Sequence, residues 1–229
     1  MKTRQIKKQI KCGYNGISQH IESFYQNNSK LLNKKIKKIL RVLNKVEHLN
    51  TFEASCYLSD LLEFIIYDII NPDLTIFPQL LTHSDDMVRI LSVETCEEWD
   101  LQNCITQILF LIKNDPDDVV RRLAVGCISY LMRNTANEAI LLLSKLEPLE
   151  NHPELKLWYS YSYYKLRKIN INNFLENWSK QNSIRTQETM KNLLKEINNI
   201  EDKKRIHMYF TNIDINNPII KEIIEFSKP

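Results

Sequence analysis

The chain is predicted to be all-α, a solenoid of stacked antiparallel helix pairs, on three observations. Asp85-Asp86-Met87-Val88-Arg89 recurs 32 residues later as Asp117-Asp118-Val119-Val120-Arg121. Apolar residues recur three or four apart along most of the chain, the spacing of one helical face. Only three glycines occur among 229 residues, and no segment sustains the period-two alternation of a half-buried strand. A repeat this short cannot enclose its own core, so neighbouring copies must cover its apolar face.

From the N-terminus, Ile17 to Gln26, Lys30 to Leu49 and Thr51 to Ile70 read as helices. The last is stopped by Asn71-Pro72, because proline disfavours the helical conformation at the residue before it. Leu74 to Leu81 is the first helix of a pair, and its partner opens at Asp85 after a Thr82-His83-Ser84 turn. Leu101 to Lys113 follows, with Ile105, Ile108, Leu109 and Ile112 on one stripe, and Asn114-Asp115-Pro116 leads into the next partner. Without gaps, Val88 falls on Val120, Leu91 on Leu123, Ser92 on Ala124 and Trp99 on Leu131. The Asp residues stand at the first turn, where a carboxylate accepts free backbone N–H groups and faces the positive end of the dipole. Pro116 suits a helix start, and the small Ser92 and Ala124 admit a second helix at close range. Asn137 to Leu146 begins a third pair, completed by Pro153 to Lys168 through Glu150-Asn151-His152-Pro153-Glu154. There Lys156 and Trp158 flank Leu157 where Val-Arg would stand. Asn173 to Lys180, Thr186 to Asn199, Lys203 to Phe210 and Pro218 to Phe226 follow.

The stretch Asn114 to Leu131, and with fewer matches Thr82 to Trp99, resembles the HEAT repeat family. In that family the second helix follows an Asn-Asp-Pro-Asp turn with Val-Arg, a small residue and spaced leucines. The resemblance implies one free-standing HEAT-like domain over 1–229, with basic N-terminal helices at 1–71, repeats at 72–168 and C-terminal helices at 169–229. It also implies a structural ladder, in which the turn Asp and the Arg after Val bond to each other or to an adjacent repeat. Those roles fall to Asp85 with Arg89 and to Asp117 with Arg121.

A content of 43% hydrophobic and 26% charged residues is neither disordered nor membranous. The apolar run at Phe64-Ile65-Ile66 is broken by Glu63 and Asp68, so no bilayer-spanning helix is expected. Met1 to Lys8 lacks the apolar core of a secretory signal, which points to the cytoplasm. The five cysteines, Cys12, Cys56, Cys96, Cys104 and Cys127, form no Cys-x-x-Cys and are odd in number. They read as reduced thiols, with Cys96 and Cys127 on the buried face, rather than as disulfides or metal ligands.

The net charge of +3 conceals strong segregation. Residues 1–50 hold 12 Lys and Arg against 2 Asp and Glu, residues 51–150 hold 6 against 17, and residues 151–229 hold 13 against 9. An acidic repeat surface steers a basic partner toward it and repels nucleic acid. Asp85, Asp86, Asp115, Asp117 and Asp118 have helix-terminal duties, and those left include Glu53, Asp60, Glu63, Asp68, Glu94, Glu97, Glu98 and Asp100. In the basic segment, Lys34, Lys35, Lys37, Lys38, Arg41 and Lys45 project from a helix whose other stripe is Leu32, Ile36, Ile39, Leu43 and Val46. Such a face serves either as the polar outer cap of a stack or as a contact for phosphates.

No catalytic residues, metal or cofactor are predicted. His-Glu-x-x-His, Gly-x-x-x-x-Gly-Lys and Gly-x-Ser-x-Gly are all missing, and His20, His48, His83, His152 and His207 are scattered. HEAT proteins with a di-iron centre use repeated His-Glu pairs, which this chain lacks. The predicted function is protein binding on an acidic concave face, in its specific form a bacterial immunity or inhibitor protein that neutralises a basic toxin. The candidate contacts are Glu94, Glu97, Glu98 and Asp100, with Trp158, Tyr159 and Tyr161. Tyrosines at 159, 161, 163 and 164 cannot share one side of a helix, so one or two should be exposed, and Tyr and Trp favour interface hot spots. The alternative is a HEAT-like nucleic-acid-binding protein or alkylpurine DNA glycosylase. That class uses aromatic side chains and one Asp in a concave basic groove, for which Trp99, Asp100, Trp158 and Trp178 are the candidates. Trp99 falls on a core position and its neighbours are acidic, which favours protein binding.

Overall fold

The computed structural model describes residues 77–180, 183–213 and 217–228, together with Lys34 and Lys38. All regular structure among the described residues is helical. The helices expected at 17–26, 30–49 and 51–70 lie outside them, apart from Lys34 and Lys38, which are helical and exposed. The described α-helices are α1 (Phe77–Leu80), α2 (Asp86–Glu98), α3 (Ile105–Asn114), α4 (Asp118–Leu131) and α5 (Ala136–Leu146). They continue with α6 (Pro153–Lys165), α7 (Ile171–Leu175), α8 (Ile184–Lys195), α9 (Ile200–Thr211) and α10 (Pro218–Ser227). The chain divides into two compact units, 1–127 and 128–229. The division falls inside α4.

In the first unit, α2 begins where Asp85 turns the backbone out of the helical region and its Oδ1 accepts the Val88 N–H at 3.2 Å. Asp117 does the same for α4, accepting from Val119 and Val120 at 2.8 and 3.0 Å. The aligned positions are buried together: Val88 and Val120, Ser92 and Ala124 all have no exposed surface. Ser92 Oγ donates to the Val88 carbonyl at 2.6 Å, so its hydroxyl enters the core already satisfied. Helix α3 differs from expectation at its start, where Gln102–Cys104 form a 3-10 turn. It buries Ile108, Leu111 and Ile112, with Ile105 and Leu109 only partly covered.

Helix α2 ends in a Schellman motif, with Leu101 N–H donating to the Cys96 carbonyl at 3.0 Å and Asp100 N–H to that of Glu97 at 3.2 Å. The motif puts Asp100 in the left-handed region, at φ 51°. Glycine takes that conformation without the Cβ clash an aspartate carries. Asp100→Gly is therefore expected to raise stability by about 0.5–1 kcal/mol, read as a higher urea midpoint. A lower midpoint would mean that the carboxylate, which accepts from Gln102 Nε2 at 2.8 Å, outweighs the backbone.

The second unit is built around α6. Helix α6 packs on α7 and α8, α7 on α9, and α10 on both α8 and α9. Leu157, Tyr161, Phe174, Met190, Leu194 and Phe210 form the centre of the shared core, with Ile219, Ile220 and Ile223 closing it from α10. Glu154, in the first turn of α6, is buried yet answered by Arg185 at 2.5 Å and Thr189 Oγ1 at 3.3 Å, both from α8. Among the helix boundaries that differ from the sequence expectation, asparagines explain two. Asn170 Oδ1 accepts from Asn173 N–H at 3.1 Å and starts α7 early, so the segment expected at 173–180 splits into α7 and a 3-10 turn at Trp178–Lys180. Asn199 Oδ1 accepts from Asp202 N–H at 3.0 Å, which makes it the N-cap of α9 rather than the end of α8.

Candidate functional site

The repeated Asp residues bond to helix starts, and of the two pairings expected for the arginines, within a repeat or to the next, Arg89 makes the second. The Asp85 and Asp117 carboxylates cap their own helices instead of meeting the arginine four residues on. Arg89 reaches the following turn: its Nε lies 2.7 Å from Asp115 Oδ2 and its Nη2 2.9 Å from Oδ1, a bidentate pair. Its Nη1 donates to the carbonyls of His83 and Ser84 at 2.8 and 2.9 Å. Arg89 and Asp115 are only 7% and 6% exposed, so the pair is desolvated and its remaining hydrogen-bonding capacity is met by the backbone. Arg121 repeats part of this, with Nη1 on the carbonyls of Asp115 and Pro116 at 2.8 and 3.2 Å.

Each turn also carries an acceptor for the N–H two residues on. His83 Nδ1 accepts from Asp85 at 3.0 Å, Asp115 Oδ1 from Asp117 at 2.9 Å, and Glu150 Oε1 from His152 at 2.8 Å. Three different residue types thus make one conformation. On this register Leu155 takes the place of Val120, and both are fully buried.

The acidic residues of α2 separate into two sets. Glu94 and Glu98 are exposed, a turn apart, and neither forms an ion pair with a described residue. With Met87, which is 41% exposed, and the half-buried Leu91 they form an outward stripe at spacings of four, three and four. Crowding around the Glu94 carboxyl raises its pKa from the ordinary value. Glu97 and Asp100 are half-buried, and Cys96, Cys104 and Cys127 are enclosed. Burial, followed by the charge of Glu97, the Cys104 sulfur and the charge of Asp100, holds the Cys127 thiol well up. A hydrogen bond between Cys96 and Cys104 raises the former and lowers the latter. Among the described residues no three His, Cys, Asp or Glu side chains are placed to hold a metal ion.

The aromatic helix corrects the sequence expectation. Tyr159, Tyr161 and Tyr163 are all buried, and Tyr164 and Trp158 are half-buried, so none of the run is an exposed contact. The reason is that α6 is covered on several sides. Tyr163 Oη donates to Glu147 at 2.8 Å, Tyr164 Oη donates to Asp202 at 2.7 Å, and the Tyr161 ring lies 5.8 Å from that of Phe174. Burial and then the carboxylate bond push both phenols up from their ordinary pKa. The tryptophans of the glycosylase reading are likewise placed by packing. Trp178 meets Phe210 edge to face at 4.9 Å in the core of the second unit, and Trp99 caps α2 half-buried. Asp100 is fixed by the Schellman turn. No helix among the described residues is long and apolar enough to cross a membrane. Comparison with known proteins gives no family model, no curated protein and no solved structure that matches the chain.

Proposed function

We propose that the chain is a HEAT-like solenoid that binds another protein through the outward side of α2, and that it acts as a bacterial immunity or inhibitor protein against a basic toxin. The observation that carries this reading is the stripe Met87, Leu91, Glu94 and Glu98, where two exposed carboxylates stand beside apolar side chains with no described cation to neutralise them. Such a surface attracts a basic partner at long range and gives it an apolar contact on arrival. The repeated charges, by contrast, are consumed by capping and by the bond from Arg89 to Asp115. Glu97 and Asp100 are half-buried, and the tyrosines of α6 are buried or half-buried in the second unit.

The test is a titration of the full chain against a basic nuclease domain. A one-to-one complex is expected, and Glu94→Lys with Glu98→Lys should weaken it roughly 100-fold, mainly by slowing association and more strongly at low salt. Both sites are exposed, so the helical circular dichroism should be unchanged. Undiminished affinity in the doubly reversed chain would exclude this surface.

A further inference from the structure

The C-terminal end of α6, the turn after it and the starts of α7 and α9 border a cleft of about 720 Å³ within the second unit. Lys165, Arg167, Lys168 and Arg205 line it against a single carboxylate, Asp202. That carboxylate is already engaged, since Oδ2 accepts the Tyr164 hydroxyl at 2.7 Å and Oδ1 lies 3.7 Å from Arg205 Nη1. The cleft therefore keeps a strong excess of positive charge. Its asparagines add donors in fixed orientation. Asn170 and Asn199 spend their Oδ1 atoms on capping α7 and α9, which leaves each amide NH2 at the cleft wall.

Arg167 is held at the cleft by its backbone. It occupies the left-handed position of the Schellman turn that ends α6, at φ 60°, with its N–H on the Tyr164 carbonyl at 2.9 Å and that of Lys168 on Tyr163 at 2.8 Å. Glycine fits that position without strain, so an arginine there carries a conformational cost that its side chain must offset. Lys168 is held as well, its Nζ 3.9 Å above the Tyr163 ring.

We propose that this cleft binds a small phosphorylated molecule, with Lys165, Arg167, Lys168 and Arg205 on its phosphate oxygens and the asparagine amides on neighbouring oxygens. Its volume is that of a small-molecule pocket, and its cations surround one cavity instead of following a line, as a nucleic-acid backbone requires. Nor does it offer a ring for base stacking, because Tyr164 is already stacked on Tyr161 and Phe174, each at 6.2 Å. The residues differ from those of the α2 surface, so either proposal stands without the other.

Isothermal titration of the full chain with pyrophosphate, ADP and glucose 6-phosphate tests it, alongside Arg167→Gly and Arg205→Gln. At least one probe should bind at a single site with Kd below about 1 mM, and each substitution should weaken it roughly tenfold. Arg167→Gly should unfold at the same or a higher temperature, which separates lost binding from lost folding. Tighter binding of ADP than of glucose 6-phosphate assigns the ligand to nucleotides, the reverse assigns it to sugar phosphates, and both support the site. Absence of saturable binding by all three probes, or equal affinity in both variants, overturns it. Tighter binding of a single-stranded oligonucleotide than of any probe, weakened by the same substitutions, also overturns it, in favour of nucleic acid.

Discussion

Asp115→Ala is expected to destabilise the first unit by about 3–5 kcal/mol, the scale for breaking a buried ion pair from one side. The cause is what remains: Arg89 would keep its charge at 7% exposure, with its Nε and Nη2 donors stripped of their acceptors. The Asp117 N–H would lose its acceptor at the same time. Arg89→Ala should cost a similar amount by stranding the carboxylate and releasing the His83 and Ser84 carbonyls. Replacing both, as Arg89→Met with Asp115→Leu, should recover much of the loss, because no charge then stays buried without a partner. Urea unfolding followed by circular dichroism measures all three. A loss below about 1 kcal/mol for Asp115→Ala would place the pair among exposed salt bridges and remove it as a joint.

Phe210→Ala should cost the second unit about 3–5 kcal/mol, through lost transfer energy and the cavity left behind. Its ring has no exposed surface, meets Trp178 edge to face at 4.9 Å and lies 5.1 Å from Tyr209. It also stands where α7, α9 and α10 share a core, so the cavity cannot close by moving one side chain. Thermal unfolding with Trp fluorescence follows it directly, because Trp178 is the ring that loses its neighbour. A small change in midpoint would show that the core re-forms around the gap.

What was legible in the sequence followed from period and from caps. The spacing of Val88 and Ser92, and of Val120, Ala124 and Leu131, places them on the buried faces of α2 and α4, because helical geometry alone fixes which residues share a side, whereas the aligned Leu91, Leu123 and Trp99 are only half-buried. Asp85 and Asp117 were legible as caps for the same reason. For Arg89 the resemblance allows an Asp of its own turn or a group of the adjacent repeat, and folding selects the second, Asp115, which lies 26 residues on. The third turn was blurred because His83, Asp115 and Glu150 make the same bond with different chemistry.

The tyrosines of α6 were misjudged on a sound rule applied without its neighbours. A helix packed on one side must expose part of an all-round aromatic surface, but α6 is packed by α7 and α8 and hydrogen-bonded to Glu147 and Asp202 as well. The separation of Glu94 and Glu98 from Glu97 and Asp100 was equally invisible, since it depends on where three cysteines from α2, the following turn and α4 converge. The basic cleft had no sequence signal at all. Its cations come from 165–168 and from 205, and only the placement of α9 beside the end of α6 unites them.

The chain's charges fall into those that join one turn to the next, as Arg89 and Asp115 do, and those left for a partner. The most direct test of that division is a double-mutant cycle between Arg89 and Asp115, using Arg89→Met and Asp115→Leu singly and together. A coupling energy of about 3 kcal/mol or more is predicted, because each single change strands a buried charge and the double change strands none. A coupling below about 0.5 kcal/mol, the value for independent sites, would contradict the joint and return these residues to the list of possible binding groups.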